Sequence, residues 1–228
     1  MKGKCIVIGA GDLTVRELIP GEEDYVIAAD GGLRYCSKLG IEPDKVIGDF
    51  DSVSTEEREM ISLLKEKDPG KILKLPVEKD DTDMLAALKT GLELGYRDFR
   101  IYAGTGGRFD HTLANIQCLL YLKSHGAAGY LMDENGMILV IQKETVCFPQ
   151  DLKGTLSLFS LGKEATGVTI QGMKYTLKDS TITNDYPIGI SNEFIGEEAS
   201  ISVANGELVC ILEKSIPKAS KSHYGMPS

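Results

Sequence analysis

Hydrophobic and polar residues alternate over residues 1–144 in a pattern that predicts short buried strands separated by helices. Apolar residues recur at helical spacing over Asp83–Leu94, which Gly95 ends, and over Thr112–Lys123. Strands that alternate with helices form mostly parallel sheets, so this part predicts a Rossmann-like α/β domain. The apolar runs that predict its strands are Cys5–Ile8, Tyr25–Ala29, Lys45–Gly48, Ile72–Leu75, Phe99–Ala103 and Gly129–Leu131.

The pattern changes after Met132. Asp133–Gly136 predicts a hairpin turn, and Asn205–Gly206 predicts a second one because Asn-Gly suits two-residue turns. We therefore expect an antiparallel β-sandwich domain over 145–214, followed by a tail over 215–228 whose polar composition favours disorder. No helix is predicted after Met132, and the predicted strands are Met137–Ile141, Thr155–Leu158, Val168–Ile170, Thr181–Thr183, Ser200–Val203 and Glu207–Leu212.

The composition of the chain narrows the range of functions that it can have. The chain has 228 residues, of which 42% are hydrophobic and 26% charged, as in soluble globular proteins. A net charge of -9 disfavours nucleic-acid binding, which needs a basic surface. The sequence has neither a secretory signal pattern nor an apolar run that predicts a membrane span. Five dispersed cysteines without a CxxC pair disfavour zinc sites and disulfide frameworks, so we expect a cytoplasmic protein.

Acidic residues follow several of the predicted strands. In an open α/β sheet, the carboxyl ends of the strands form the edge at which ligands bind. Carboxylates that meet there repel one another unless a cation lies among them, and Mg²⁺ is the usual candidate. The acidic residues at this predicted edge are Asp30, Asp49, Asp51, Asp80, Asp81, Asp83 and Asp110.

Asp49 and Asp51 allow two interpretations. If the backbone is still extended there, both carboxylates point to one face and Phe50 to the other, so that the pair can bracket Mg²⁺. The alternative is a polar turn, since Asp-x-Asp-Ser also has turn chemistry. The pattern by itself does not name a reaction.

Three acids within Asp80–Asp83 precede a predicted helix. Asp81 or Thr82 can cap that helix, and an early carboxylate offsets its dipole. Three acids exceed what a cap requires, which favours a ligand or metal role for at least one of them. Lys79 is either a solvated charge or a phosphate contact.

The glycine-rich segment Gly104–Arg108 links a predicted strand to a predicted helix. Glycines allow the backbone to approach a ligand, and a helix N-terminus binds anions. Arg108 can make a forked contact with phosphate, although the segment is not a Walker loop. Asp110 and His111 are alternatively caps of the helix. Gly9–Gly11 lacks the full dinucleotide fingerprint and favours a tight turn.

Taken in order, these segments resemble the thiamin pyrophosphokinase family. The resemblance implies transfer of a pyrophosphoryl group from ATP to the hydroxyl of thiamin, which gives thiamin diphosphate and AMP with Mg²⁺ as cofactor. It also implies a homodimer with active sites between subunits. The segments that carry it are Ala29–Gly32, Gly48–Ser52, Asp80–Asp83, Gly106–His111 and Gly189–Glu193.

The resemblance also implies roles for single residues. Some relatives place a tryptophan against the thiamin ring, whereas this chain has none and offers Tyr186 or Phe194 instead. Ser191 and Asn192 match the thiamin-binding turn. The catalytic, magnesium-binding positions are Asp49, Asp51 and Asp83, and the positions that line the ATP and substrate cleft are Asp30, Asp80, Arg108 and Asp110.

Two other functions stay open at this point. One is a different Mg²⁺-dependent phosphotransferase or phosphatase that uses Asp49 and Asp51. The other is a non-catalytic sensor of a nucleotide or of thiamin. The excess of acids favours catalysis, because a binding protein gains little from clustered carboxylates. The nucleotide product separates the enzymes: AMP indicates pyrophosphoryl transfer, ADP a simple kinase, and inorganic phosphate a phosphatase.

Overall fold

A computed structural model describes residues 2–51, 53–76 and 80–214. Expectations for Ser52, Lys79 and the 215–228 tail lie outside these residues. The helices are α1 (Leu33–Leu39), α2 (Thr55–Lys67), α3 (Asp83–Glu93) and α4 (Phe109–Ser124). The strands are β1 (Cys5–Ile8), β2 (Tyr25–Ala29), β3 (Lys45–Gly48), β4 (Ile72–Lys74), β5 (Asp98–Tyr102), β6 (Ala128–Asp133), β7 (Gly136–Gln142), β8 (Thr145–Phe148), β9 (Gly154–Ser160), β10 (Glu164–Gln171), β11 (Leu177–Thr183), β12 (Gly189–Glu193), β13 (Ala199–Ser202) and β14 (Glu207–Lys214).

The strands form two sheets. The larger has ten strands in the order β12-β9-β14-β7-β6-β5-β1-β2-β3-β4, and the smaller has four in the order β11-β10-β13-β8. Strands β1 to β6 pair in parallel, whereas β7, β9, β12 and β14 pair antiparallel. The four-stranded sheet is antiparallel throughout. The predicted fold class, an α/β part followed by a β-sandwich, is confirmed.

Helices cover both faces of the parallel strands because successive strand residues point in opposite directions. Val7 of β1 packs in a core with residues of α3 and α4, including Leu88 and Leu122. Its neighbours Ile6 and Ile8 pack in a second core with α1 and α2. The loops at the carboxyl ends of the strands are therefore left uncovered between the two helix layers.

The four-stranded sheet packs on the antiparallel end of the large sheet. Leu139 of β7 and Leu156 of β9 belong to the same buried cluster as Ile170 of β10 and Ile201 of β13. The large sheet contains strands from both sides of the predicted domain boundary at residue 144. The boundary itself stays a prediction. None of the described helices is both long and apolar enough to span a membrane.

Two local predictions differ from the structure. Asp133–Gly136 does form the predicted β6–β7 hairpin, but Asn205–Gly206 does not form one, because β13 and β14 belong to different sheets. The Asn-Gly pair instead carries the chain from one sheet to the other, and Asn205 bridges to Thr166. The α4 helix begins at Phe109 rather than Thr112.

Candidate active site

A cavity of about 450 Å³ lies at the carboxyl ends of β1, β2 and β5. The first turns of α3 and α4 close its sides. The cavity therefore occupies the edge of the sheet at which the acidic strand ends were predicted to meet. Its lining comprises Gly9–Asp12, Ala29, Asp30, Thr82–Met84, Ala103, Gly104, Gly106–Arg108, Asp110, His111, Ala114 and Asn115.

The floor of the cavity consists of the loops that follow β1 and β5. The N–H groups of Gly9, Gly11 and Asp12 donate to the carbonyls of Tyr102, Ala103 and Thr105, each at 2.8 Å. These bonds extend the β1–β5 pairing beyond the strand ends. The sequence pattern of Gly9–Gly11 predicts a tight turn but not a place in the cavity, because the pairing joins segments far apart in the chain.

Asp30 is half-buried, and its negative charge is unfavourable there. It begins a single 3₁₀ turn after β2, with a left-handed φ of 51°. Burial raises the pKa of its carboxyl group, the nearby Asp83 raises it further, and Asp49 and Asp51 add to the effect. The Gly31 N–H opposes this shift by hydrogen bonding to the carboxylate. The structure therefore brings Asp30, Asp83, Asp49 and Asp51 within electrostatic reach of one another.

The backbone of Asp49–Asp51 is a turn. Phe50 has a φ of 60°, so the extended geometry that would place both carboxylates on one face is wrong. The Asp51 N–H donates to Oδ1 of Asp49 at 3.1 Å, as in other Asp-initiated turns. A Cβ at Gly48 would lie 3.3 Å from Cα of Asp30, so the glycine lets the end of β3 approach that residue closely.

The donor set fits Mg²⁺, which prefers carboxylate oxygens. No three acidic, histidine or cysteine side chains of the described residues form a preassembled metal site. This agrees with the usual coordination of Mg²⁺ in enzymes of nucleotides, in which one or two carboxylates share the ion with substrate phosphates and water. The four clustered carboxylates also repel one another, which a cation would relieve.

Asp80–Asp83 separate into different roles. Thr82 caps α3, since its hydroxyl accepts from the Leu85 N–H at 3.1 Å. Asp83 follows in the first turn and lines the cavity. Asp81 pairs with Lys89 at 2.5 Å, and both lie with Asp80 in a separate pocket beside α3. The role of Asp80 in the cleft stays a prediction.

Arg108 and Asp110 lie at the start of α4. The early start of this helix places Asp110 and His111 inside its first turn, so neither is its N-cap. The N-cap is Arg108, without a side-chain cap hydrogen bond. The Asp110 carboxylate accepts from the Arg108 guanidinium, which lowers the pKa of Asp110 and raises that of Arg108. Both side chains line the cavity, where a phosphate would compete for the guanidinium.

Asp12 and Asn115 also line the cavity and were not predicted. Asp12 follows the paired loop after β1, and its carboxylate lies directly against Gly106. Asn115 is buried, and its side-chain amide donates to the Gly104 carbonyl at 2.7 Å. The sequence held one signal for Asn115: it follows His111 by four residues and so shares its face of α4.

Ser191 and Asn192 lie far from this cavity in the same chain. They belong to β12, the edge strand of the large sheet, and β12 is seven strands away from β2. At about 4.8 Å per strand, the separation is roughly 34 Å. The side chain of Asn192 is buried and makes two hydrogen bonds with the backbone of Tyr175.

The surface beside β12 is apolar. Tyr186, Ile188 and Ile190 are each at least half exposed. Of the two aromatic candidates for a thiamin contact, Tyr186 is open to solvent, whereas Phe194 packs edge-on against Phe148 with ring centroids 5.6 Å apart. Tyr186 is therefore the better placed of the two to meet a ligand or a second protein surface.

Comparison with known proteins agrees with this architecture. The sequence model of the thiamin pyrophosphokinase catalytic domain matches residues 17–131, and that of the thiamin pyrophosphokinase vitamin B1 binding domain matches residues 143–208. A thiamine pyrophosphokinase of Bacillus subtilis is 31% identical over 215 residues, which cover 92% of this chain and 98% of that protein.

Solved structures show the same fold. The crystal structure of thiamine pyrophosphokinase from Bacillus subtilis matches with a TM-score of 0.82 at 27% identity, covering 94% of this chain and 100% of that one. A thiamin pyrophosphokinase family protein from Enterococcus faecalis matches with a TM-score of 0.79 at 26% identity, with the same coverage of 94% and 100%. Matched in both halves of its sequence and over nearly its whole length, the chain belongs to the thiamin pyrophosphokinase family.

Proposed function

We propose that this protein transfers a pyrophosphoryl group from ATP to the hydroxyl of thiamin, releasing AMP. One observation carries the proposal: carboxylates that follow β2 and β3 and a carboxylate in the first turn of α3 converge beside a cavity that also holds Arg108 and the start of α4. The phosphates of a nucleotide would interact with Arg108 and the start of α4, and the metal ion bound to the nucleotide would interact with the carboxylates. The family to which the chain belongs supplies the identity of the acceptor.

The phosphate end of the cavity is formed by Gly104–Arg108 and α4. The glycines at 106 and 107 adopt left-handed φ values of 83° and 63°, which bring the backbone to the cavity wall without side chains. The α4 helix extends for 16 residues, and its N-terminal N–H groups favour an anion. Once released from Asp110, the guanidinium of Arg108 offers two parallel N–H donors that match two phosphate oxygens.

The acidic side of the cavity would hold Mg²⁺ through Asp83 together with Asp49 or Asp51. When bound, the ion neutralises phosphate charge and polarises the phosphorus under attack. The protein groups orient the nucleotide and keep its chain of phosphates between the acidic side and Arg108. The net negative cleft also attracts the positive thiazolium ring of thiamin.

A homodimer is part of the proposal. Ser191 and Asn192 lie roughly 34 Å across the sheet from Asp30, too far for one thiamin molecule to touch both in the same chain. A second copy that docks its β12 surface at the cleft would bring these residues to the place where thiamin meets the phosphates. The exposed side chains Tyr186, Ile188 and Ile190 give that surface the apolar character of an interface.

Subunit mixing tests this arrangement. One variant carries Asp49→Asn in the cleft, and the other carries Tyr186→Asp with Ser191→Arg beside β12. If a site combines the cleft of one subunit with β12 of the other, mixed dimers contain one intact site, and activity returns to roughly a quarter of the wild-type value. A mixture that stays inactive while the variants exchange subunits would show that each chain completes its own site.

The reaction itself is tested by incubating the protein with ATP, Mg²⁺ and thiamin and separating the nucleotides. AMP and thiamin diphosphate in equal amounts are expected. Formation of ADP or of inorganic phosphate would favour the other phosphotransferase or the phosphatase. Calorimetric binding of ATP or thiamin without turnover would favour a sensor.

A cytoplasmic location also belongs to the proposal. All five cysteines, which lie within the described residues, are free thiols, and four of them are buried. Burial raises the pKa of the Cys5 and Cys36 thiols to about 12, which keeps them protonated and unreactive. Free thiols in this number suit a reducing compartment.

A further inference from the structure

The turn that joins β5 to α4 is fixed through three successive carbonyl groups. The carbonyls of Ala103 and Thr105 accept from Gly11 and Asp12, both at 2.8 Å. The middle carbonyl, that of Gly104, accepts from the side-chain amide of Asn115 at 2.7 Å. Two of the three donors are backbone N–H groups, so Asn115 is the one donor of the three that is a side chain.

The same turn stores backbone strain. Ala103 is buried and has a φ of 49°, a conformation that residues with a Cβ adopt only when their surroundings impose it. The bond from Asn115 to the neighbouring carbonyl is one of those constraints. Without it, the turn can relax towards ordinary φ values and carry Gly106 and Gly107 with it.

Burial of the Asn115 amide costs free energy that packing alone does not offset. Its side chain is only 8% exposed and lies one turn from Cys118, in the buried stripe of α4. A polar group in such a place is costly unless it is hydrogen bonded. The atom that faces the Gly104 carbonyl must be Nδ2, because a carbonyl oxygen accepts only from a donor, so this bond fixes the orientation of the amide.

From these contacts we propose that Asn115 is a positioning residue that holds the Gly104–Gly107 turn, and through it Arg108, in the geometry that receives the phosphates of ATP. Asn115 lines the cavity, but it acts through the turn rather than on the reacting atoms. This inference rests on the proposed function, because it names what sets the affinity of that same cleft for the nucleotide.

The experiment replaces Asn115 in two ways. Asn115→Leu keeps the approximate volume and removes the donor, whereas Asn115→Asp keeps the shape and puts an acceptor against the Gly104 carbonyl. The control is Cys118→Ala, since Cys118 is 7% exposed on the same helix and is not in the lining of the cavity. All variants are compared for KM of ATP, KM of thiamin, kcat and Tm.

Both Asn115 variants are expected to raise the KM of ATP about tenfold or more, while the KM of thiamin stays within about twofold. Amide hydrogen exchange of Gly11 and Asp12, whose N–H groups donate to the carbonyls of this turn, should become faster in both variants. Cys118→Ala should lower Tm and leave the KM of ATP and the exchange of these two amides unchanged.

The inference is overturned if the KM of ATP stays within about twofold of wild type in both Asn115 variants, or if Cys118→Ala raises it equally. If the leucine variant does not fold, Asn115→Ser, whose hydroxyl is too short to reach the same carbonyl, is measured against the same criteria. Failure of the wild-type protein to form AMP would instead contradict the proposed function, so the two failures are distinguishable.

Discussion

Arg108 and Asp110 form a forked ion pair at the start of α4, with Nε of Arg108 3.1 Å from Oδ1 and Nη2 2.5 Å from Oδ2 of Asp110. Both side chains are more than 60% exposed, so solvent screens the pair and it adds little to stability. Its effect is geometric. The carboxylate holds the guanidinium beside the cavity in the forked orientation that a phosphate would use.

Replacement of Arg108 by Lys should therefore weaken ATP binding without unfolding the protein. Lysine keeps the charge but offers a point donor instead of a fork. We expect the KM of ATP to rise about tenfold at unchanged Tm, as measured by initial rates and thermal melting. Arg16→Lys is the matched control, because Arg16 also forms an exposed ion pair, with Glu134, outside the cavity lining. Equal effects of both substitutions would contradict a phosphate contact at Arg108.

Asp49→Asn should separate catalysis from folding. Asparagine keeps the Oδ1 atom that accepts from the Asp51 N–H, so the turn can persist while the charge is lost. We expect kcat to fall about a hundredfold with Mg²⁺, and Tm to change little. Asp68→Asn is the control, since Asp68 accepts from the N–H of Gly70 two residues on in the same way, but, unlike Asp49, is not among the carboxylates that raise the pKa of Asp30. Parallel loss of Tm and activity would make Asp49 a structural residue.

Asp30→Asn should increase stability at neutral pH while it lowers activity. The folded pKa of Asp30 lies above its ordinary value of 3.8, chiefly because of burial and then because of Asp83. The folded state therefore binds the proton of the Asp30 carboxyl group more tightly than the unfolded state does. Without Mg²⁺, the stability that this protonation contributes is lost as the pH rises from 3.8 through the folded pKa of Asp30. The Asp30→Asn variant has no carboxyl group to ionise here, so it does not lose this stability as the pH rises. Asparagine also tolerates the left-handed backbone at this position.

Thermal melting between pH 4 and pH 8 in Mg²⁺-free buffer measures the effect, and the advantage in Tm of the variant should grow with pH. The control is Asp179→Asn, because Asp179 is exposed and has a similar φ of 48°. An advantage in Tm that does not depend on pH would show that the charge of Asp30 is not the cause.

Asn192→Ala should destabilise the protein more than it affects chemistry. Oδ1 of Asn192 accepts from the Tyr175 N–H at 2.9 Å, and Nδ2 donates to the Tyr175 carbonyl at 2.7 Å. Loss of both hydrogen bonds of this buried side chain should lower the free energy of unfolding by about 2 kcal/mol, as measured in urea. The exposed Asn205, replaced by Ala, serves as the control. A large rise in the KM of thiamin at unchanged stability would assign Asn192 to the ligand instead.

Local sequence patterns predicted the strands that end at the cleft, because burial of a short parallel strand requires a continuous apolar run. The backbone at Phe50 was not predictable in this way. A left-handed φ is unusual for phenylalanine, and here it follows the close approach of Gly48 at the end of β3 to Asp30 in the turn after β2, a contact between separate segments of the chain.

Long-range pairing explains the other differences. The place of Gly9–Asp12 in the cleft depends on the parallel contact of β1 with β5, which lies some ninety residues further along the chain. The Asn205–Gly206 pair carries a local signal for a turn. That signal does not determine whether the next strand joins the same sheet, which here depends on the pairing of β14 with β7 and β9.

The position of β7 limits where the chain can be split into separately expressed halves. This strand pairs with β6 on one side and with β14 on the other. A chain that stops at residue 144 would keep β7 and lose β14, so that Leu139, Val140 and Ile141 would lie on an open sheet edge. Open apolar edges recruit other chains. We therefore expect that the two halves, expressed separately, aggregate or recapture each other rather than behave as independent modules.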